Sequence, residues 1–309
     1  MSESLGAVQT RCGFVAVIGA PNAGKSTLVN ALVGTKVSIV SPRVQTTRTI
    51  VRGIAMFGDT QLIFLDTPGI FQAKKRIERA MVAAAWTGAA DADALLLVVD
   101  AAKEIRAESL SEDNQRIVGD LKKTGRKALL VLNKVDLADK SKLLDLSSQL
   151  NATGVFEETF MISALTGDGL ERVRDHLVAA VRPGPWLFPE DDISDMPLRL
   201  LTAEITREKL FLNLRQELPY SCAVDVESWE EKKDGSLRID QIIYVTRESH
   251  RPIVLGHGGK RLKTIGSASR SELEKILDRR VHLFLHVKVN ARWIEDRSFY
   301  AAWGLDFDA

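Results

Sequence analysis

The octapeptide Gly19-Ala20-Pro21-Asn22-Ala23-Gly24-Lys25-Ser26 directly follows the apolar run 14–18 and leads into residues 26–33, whose apolar positions recur at helical intervals. The pattern G-x-x-x-x-G-K-S in that setting demands a strand, a tight turn and a helix in immediate succession. Glycine lets the turn curl until successive N–H groups point inward, and the helix N-terminus adds partial positive charge, so the turn forms a cradle for phosphate. Lys25 is expected to reach the terminal phosphates and the Ser26 hydroxyl to ligate Mg²⁺, with Thr27 in the first turn beside them.

Further apolar runs at 50–57, 61–66, 95–100, 128–132 and 160–163 alternate with helical stretches such as 109–123 and 169–181. Such alternation predicts an α/β unit over residues 1–182, with a mainly parallel sheet, helices over it and ligand loops at the carboxyl ends of the strands. Pro183, Gly184, Pro185 and Pro189 then break the pattern, ahead of Glu190, Asp191 and Asp192. Residues 183–197 therefore read as a linker. A smaller α+β domain is expected over 198–309: a helix within 198–218, two alternating runs at 220–229 and 237–245 joined at Lys233-Asp234-Gly235-Ser236, a glycine-punctuated stretch, a long helix and a last strand.

Charge separates the two halves more sharply than the overall net of +1 indicates. Residues 246–292 carry 11 Lys or Arg against 4 Asp or Glu and hold four of the five histidines, whereas the remaining 262 residues have a net charge of −6. A basic segment on an otherwise acidic chain points to a polyanion, nucleic acid first. Cys12 and Cys222 are the 2 cysteines and lie far apart without metal-ligand spacing, which argues against a disulfide framework or zinc site. Residues 1–13 lack the charged and apolar regions of an export leader, so a cytosolic location is expected.

Three short motifs at successive predicted strand ends select the nucleotide. Asp66-Thr67-Pro68-Gly69 puts a carboxylate where it can hold Mg²⁺ through water and a glycine near the γ-phosphate. Asn133-Lys134-Val135-Asp136 offers a carboxylate able to accept two hydrogen bonds from guanine, a donor pair that adenine lacks. Ser163-Ala164-Leu165 offers a backbone N–H to guanine O6. The reading is therefore GTP, and residues 12–182 resemble a translation-factor-type GTPase. In the loop 36–49, Thr47 is chosen over Thr46 as the threonine that senses the γ-phosphate and joins the Mg²⁺ ligands, making Lys25, Thr47 and Gly69 the expected catalytic set. Ile70 stands where Ras-like enzymes place the glutamine that orients water, so intrinsic turnover is expected to be slow. Asn22 either supports its own loop or, as in related GTPases with an apolar residue at the Ile70 position, helps to place K⁺.

The segment Gly256-His257-Gly258-Gly259-Lys260-Arg261-Leu262-Lys263 resembles the G-x-x-G loop of a KH domain. Its glycines permit close approach to a sugar-phosphate backbone, while Lys260, Arg261 and Lys263 attract phosphate. Gly258 departs from the usual basic residue in the loop and shifts that contact toward His257 or Lys260. The stretch from Arg270 to Arg280, basic but interspersed with Glu272, Glu274 and Asp278, reads largely as a solvated face. His282 and His286 read as structural or phosphate-adjacent.

One such GTPase domain followed by one KH domain, with Gln45-Thr46-Thr47-Arg48, Ile70 and Glu217-Leu218-Pro219-Tyr220-Ser221, resembles the bacterial Era family. The resemblance implies a monomeric ribosome-assembly GTPase that binds the 3′ end of small-subunit rRNA and docks on the small ribosomal subunit, with peripheral inner-membrane association in some members. It also implies a switch, in which GTP orders 36–49 and 67–80 and makes the RNA groove available. A metabolic kinase would leave Asn133 and Asp136 without a role; a nucleotide-holding RNA scaffold is the alternative that Ile70 keeps open.

Overall fold

Val15, Ala16, Val17 and Ile18 are completely buried, and the strand that contains them is the axis of the first of two units in this computed structural model, which describes residues 9–309. The leader-free reading of residues 1–8 lies outside the described residues. Strand β1 (Arg11–Ile18) is flanked by β3 (Thr60–Asp66) and β4 (Ala94–Asp100), both parallel to it. The sheet runs β2-β3-β1-β4-β5-β6, with β2 (Val51–Phe57) antiparallel at one edge and β5 (Ala128–Asn133) and β6 (Phe156–Met161) parallel beyond β4. Helices on both faces explain why β3 and β5 are buried at every position instead of alternating. Strand β6 starts earlier than the sequence run 160–163 indicated, because Glu157 and Glu158 sit on an exposed edge where charge is tolerated.

The helices of this unit are α1 (Lys25–Val33), α2 (Arg76–Asp91), α3 (Ala101–Ala107), α4 (Glu112–Thr124), α5 (Lys140–Asn151) and α6 (Leu170–Ala180). Helix α4 shows how local chemistry sets its limits. Glu112 and Asp113 sit in its first turn, Lys122 and Lys123 in its last, and Gly125 ends it in the left-handed conformation at φ 67°. The buried Glu104 of α3 secures the approach to α4 by accepting from Ser111 N (2.6 Å), Ser111 Oγ (2.8 Å) and Asn114 Nδ2 (2.8 Å).

Residues 183–195, expected to be a linker, are instead part of the first unit. The organiser is Gln61, a fully buried amide in the middle of apolar β3. Its Oε1 accepts from Leu187 N (2.9 Å) and Phe188 N (3.1 Å), and its Nε2 donates to Phe188 O (2.8 Å). Trp186 Nε1 donates to Asp59 O (3.0 Å), Ile54 N to Ile193 O (2.9 Å), and Arg52 pairs with Asp195 (2.6 Å). Prolines suit this strap because it runs alongside the sheet through side-chain and single backbone contacts rather than a ladder.

The second unit comprises Met196–Ala302 together with Ile39–Thr46. Its elements are α7 (Leu198–Asn213), β7 (Cys222–Glu231), β8 (Leu237–Val245), α8 (His250–Leu255), α9 (Lys260–Leu277), β9 (Val281–Val289) and α10 (Arg297–Ala302). The sheet order is β7-β8-β9, the first pair antiparallel and the second parallel. Ile205, Leu210, Ile243, Val254, Ile265 and Leu273 meet in its core. Within this unit, α7 also holds the segment Ile39–Thr46: Glu208 Oε1 accepts from Val40 N (2.8 Å), and Arg43 Nε donates to Phe211 O (2.6 Å). The C-terminal tail expected to belong with residues 198–309 does not do so entirely, since Trp303–Ala309 fold with the first unit.

Replacing Gln61 by Leu preserves volume but leaves two strap amides and one carbonyl without their partner. The expected loss is about 2 kcal/mol in urea unfolding, with faster proteolysis within 183–195.

Candidate nucleotide and RNA sites

The turn after β1 takes the shape its sequence demands. Gly24 lies at φ 100° directly before α1, and a Cβ there would collide with the Asn133 amide. Lys25 is buried with its Nζ donating to Gly19 O (3.1 Å) and Ala20 O (3.0 Å), so the ammonium lies folded over the turn. Ser26 Oγ donates to Asp66 Oδ2 (2.6 Å) and lies 3.0 Å from Thr47 Oγ1. Asp66 is completely buried, and its Oδ1 has no hydrogen-bond partner. Three hard oxygens from separate segments, Ser26 Oγ, Thr47 Oγ1 and Asp66 Oδ2, thus converge beside the unpartnered Oδ1, a donor set that suits Mg²⁺. Thr46 is engaged elsewhere, donating to Arg43 O (2.9 Å), which separates the two candidate threonines.

Thr67 Oγ1 donates to Val17 O (2.7 Å) and secures the end of β3. Pro68 follows, and at Gly69 a Cβ would lie 2.9 Å from Pro21, so only glycine passes this close to the phosphate turn. Ile70 N donates to Gly19 O (3.1 Å), while its side chain is 1% exposed in the core. An apolar side chain pointing inward has no means of orienting water.

Asn133 acts as a brace: Nδ2 donates to Ala23 O (2.8 Å) and Oδ1 accepts from Ala164 N (2.9 Å). It therefore joins the phosphate turn to the Ser163-Ala164-Leu165 loop. In this structure the Ala164 amide is engaged in that brace. Lys134 Nζ reaches Asn22 O (2.7 Å) and Asp100 Oδ2 (2.6 Å), whereas Asp136 stands exposed in the short turn Val135–Leu137. Its carboxylate is accessible to a base. Leu165 is 81% exposed at the loop tip.

In the second unit, Gly256, Gly258 and Gly259 all have positive φ and turn the chain between α8 and α9. A Cβ at Gly256 would lie 2.7 Å from that of Arg261, and Arg261 itself donates to Ile253 O. Arg261 therefore fastens the loop, leaving His257, Lys260 and Lys263 as its exposed polar side chains. Beside the loop lies a groove of about 420 Å³, with Gly259, Leu262, Lys263 and Arg270 on one wall and Leu283 and Leu285 on the other. Gly266 keeps its floor open. Arg270, read from the sequence as part of a solvated face, lines this groove. The groove residues of β9 were missed because an alternating strand looks the same whether its half-buried side faces a core or a ligand.

The chain matches the family described as "50S ribosome-binding GTPase" over residues 14–134 and the KH domain family over 217–294. It is 54% identical over 307 residues to GTPase Era of Maricaulis maris, an alignment covering 96% of this chain and 98% of that protein. The chain belongs to the Era GTPase family. Two solved Era structures share 38% identity with it, each covering 96% of this chain and 99% of the other. One is an Aquifex aeolicus Era variant bound to GDP and AlF₄⁻ (TM-score 0.88). The other is Era in complex with MgGDPNP and nucleotides 1506–1542 of 16S ribosomal RNA (TM-score 0.89). Like its relatives, the chain is a GTPase with a KH domain at its C-terminal side. Among the described residues, no helix is long and apolar enough to cross a membrane.

As an Era-family site, the pocket carries two displaced ionisations. Burial pushes Lys25 down to about 8, against the opposing pull of Asp66. Burial also pushes Asp66 above the usual carboxylate range, outweighing the Ser26 hydrogen bond and the Lys25 charge. In the unfolded chain lysine keeps its proton to higher pH, so unliganded stability gains as pH rises above about 8. A phosphate bound at this turn would favour charged Lys25 and so make binding take up a proton there above about pH 8. GDP affinity is expected to fall by about tenfold per unit between pH 8 and 9 at most, and calorimetry of Lys25→Ala should show that dependence abolished.

Proposed function

We propose that the chain is a cytoplasmic GTP-dependent switch that binds the 3′ region of small-subunit rRNA through its KH groove and assists maturation of the small ribosomal subunit. The observation that carries this reading is the apolar groove beside a basic G-x-x-G loop, in a chain 38% identical to an Era captured with 16S rRNA nucleotides. Bases can enter the groove while phosphates meet Lys260, Lys263 and the α9 N-terminus.

On the nucleotide side, the backbone N–H groups of residues 22–26 cradle phosphate, and Lys25 leaves its carbonyl partners to neutralise the β- and γ-phosphates. Ser26, Thr47 and Asp66 would hold Mg²⁺, which supplies charge neutralisation to the phosphates. Asp136 reads the guanine edge, and Asn133 keeps its loop in register with the cradle. Hydrolysis transfers the γ-phosphoryl group to water and releases GDP. With Ile70 buried, backbone groups near Gly69 rather than a side-chain amide orient the water, so intrinsic turnover is slow.

Coupling follows from chain continuity. Thr47 belongs with the phosphate side, whereas the preceding Ile39–Thr46 fold with the RNA-binding unit. Movement of Thr47 with nucleotide state therefore acts on residues held by α7.

Two measurements test this reading. A labelled rRNA 3′-end oligonucleotide, at fixed salt and Mg²⁺, should bind more tightly in the presence of GDPNP than of GDP; equal affinity would separate the RNA module from the nucleotide cycle. Asn22, whose side chain is proposed to place K⁺ against the phosphates, makes hydrolysis faster in K⁺ than in Na⁺. Equal rates in the two salts would remove that role.

A further inference from the structure

The tail Trp303–Ala309 folds with the first unit at a telling place. Trp303 is 3% exposed, and the guanidinium of Arg48 lies 5.4 Å from the centroid of its ring. Its backbone oxygen accepts from Thr49 Oγ1 (2.6 Å). Arg48 and Thr49 are themselves buried, and they follow Thr47 without a gap. Gly304, at φ 63°, then turns the chain so that Leu305 is buried, and the ring of Phe307 lies 4.4 Å from the guanidinium of Arg76 at the head of α2. The tail thus holds the residues directly after Thr47 and also the start of the helix that follows Gly69 and Ile70.

We propose that Trp303 is a positioning residue for the GTPase reaction: it fixes the backbone of Arg48 and Thr49, and thereby the attitude of Thr47 toward the γ-phosphate side. A buried cation–π contact and a buried hydroxyl-to-carbonyl bond are worth more than their exposed counterparts. They also reduce the ordering cost of the switch segment when GTP arrives. GDP makes no demand on Thr47, so its affinity is independent of this hold. The inference rests on the assignment of Thr47 as the γ-phosphate sensor.

The test uses the full chain with Mg²⁺ and fluorescent GDP and GDPNP, comparing Trp303→Ala, Trp303→Phe, Thr47→Ala and the Thr47→Ala/Trp303→Ala double variant. Trp303→Ala should weaken GDPNP by about three- to tenfold, leave GDP affinity within about twofold and lower kcat. Trp303→Phe, which keeps an aromatic face, should restore most of the ratio. On the Thr47→Ala background, Trp303→Ala should change the ratio no further, because it acts through Thr47. If Trp303→Ala does not fold, Trp303→Leu keeps bulk, removes the aromatic face and should show the same selective loss. Equal weakening of GDP and GDPNP, or of neither, overturns the role of Trp303 where Thr47→Ala still lowers the ratio. If Thr47→Ala leaves the ratio unchanged, the assignment of Thr47 fails and the proposal fails with it.

Discussion

The buried carboxylate of Asp66 is the constraint around which the nucleotide site is arranged. An ionised group without solvent is tolerated only when donors or cations compensate it; Asp66 has Ser26 at Oδ2, with the Ser38 and Thr47 hydroxyls and the Lys25 charge also acting on it, while Oδ1 makes no hydrogen bond within the protein. Lys25 lies close enough to feel its charge but is hydrogen-bonded to the carbonyls of Gly19 and Ala20. The protein alone therefore holds an incomplete electrostatic arrangement. In the proposed reading, phosphate would draw on Lys25 and a divalent cation on Asp66, and nucleotide and metal would complete the site together. Thr47 Oγ1 lies within reach of Ser26, where in the proposed switch it would report whether that completion has taken place.

Ile70 cannot serve the role of a polar side chain, and its burial anchors the Gly69 segment against the phosphate turn instead. In the proposed reading the protein is a timer rather than a fast enzyme, with nucleotide held in place, little acceleration of water attack, and a loop whose state would depend on the γ-phosphate. The proposed RNA groove in the second unit would give such a timer something to regulate.

Much of this was legible in the sequence because it is local. A glycine turn between strand and helix, a carboxylate at a strand end and a G-x-x-G loop before a basic helix each carry their chemistry within a few residues. What was not legible depends on partners far along the chain. Gln61 reads as a polar interruption in an apolar strand until Leu187 and Phe188 are seen to bind it, which is why the sequence of the proline-rich strap reads as a linker. Arg270 and Leu285 acquire a role only when α9 and β9 form opposite walls of one groove. Trp303 offers no signal at all, since its contacts with Arg48 and Thr49 span some 250 residues and follow no motif.

The most direct test of the account is the Mg²⁺ dependence of GDPNP binding in the wild-type chain and in Asp66→Asn. If the unsatisfied carboxylate oxygen creates the demand for the metal, wild-type affinity rises steeply with Mg²⁺, and the variant, whose amide is neutral and already partnered by Ser26, loses most of that rise while still binding GDP. An Asp66→Asn chain with the wild-type Mg²⁺ dependence would contradict the central role assigned to this buried charge.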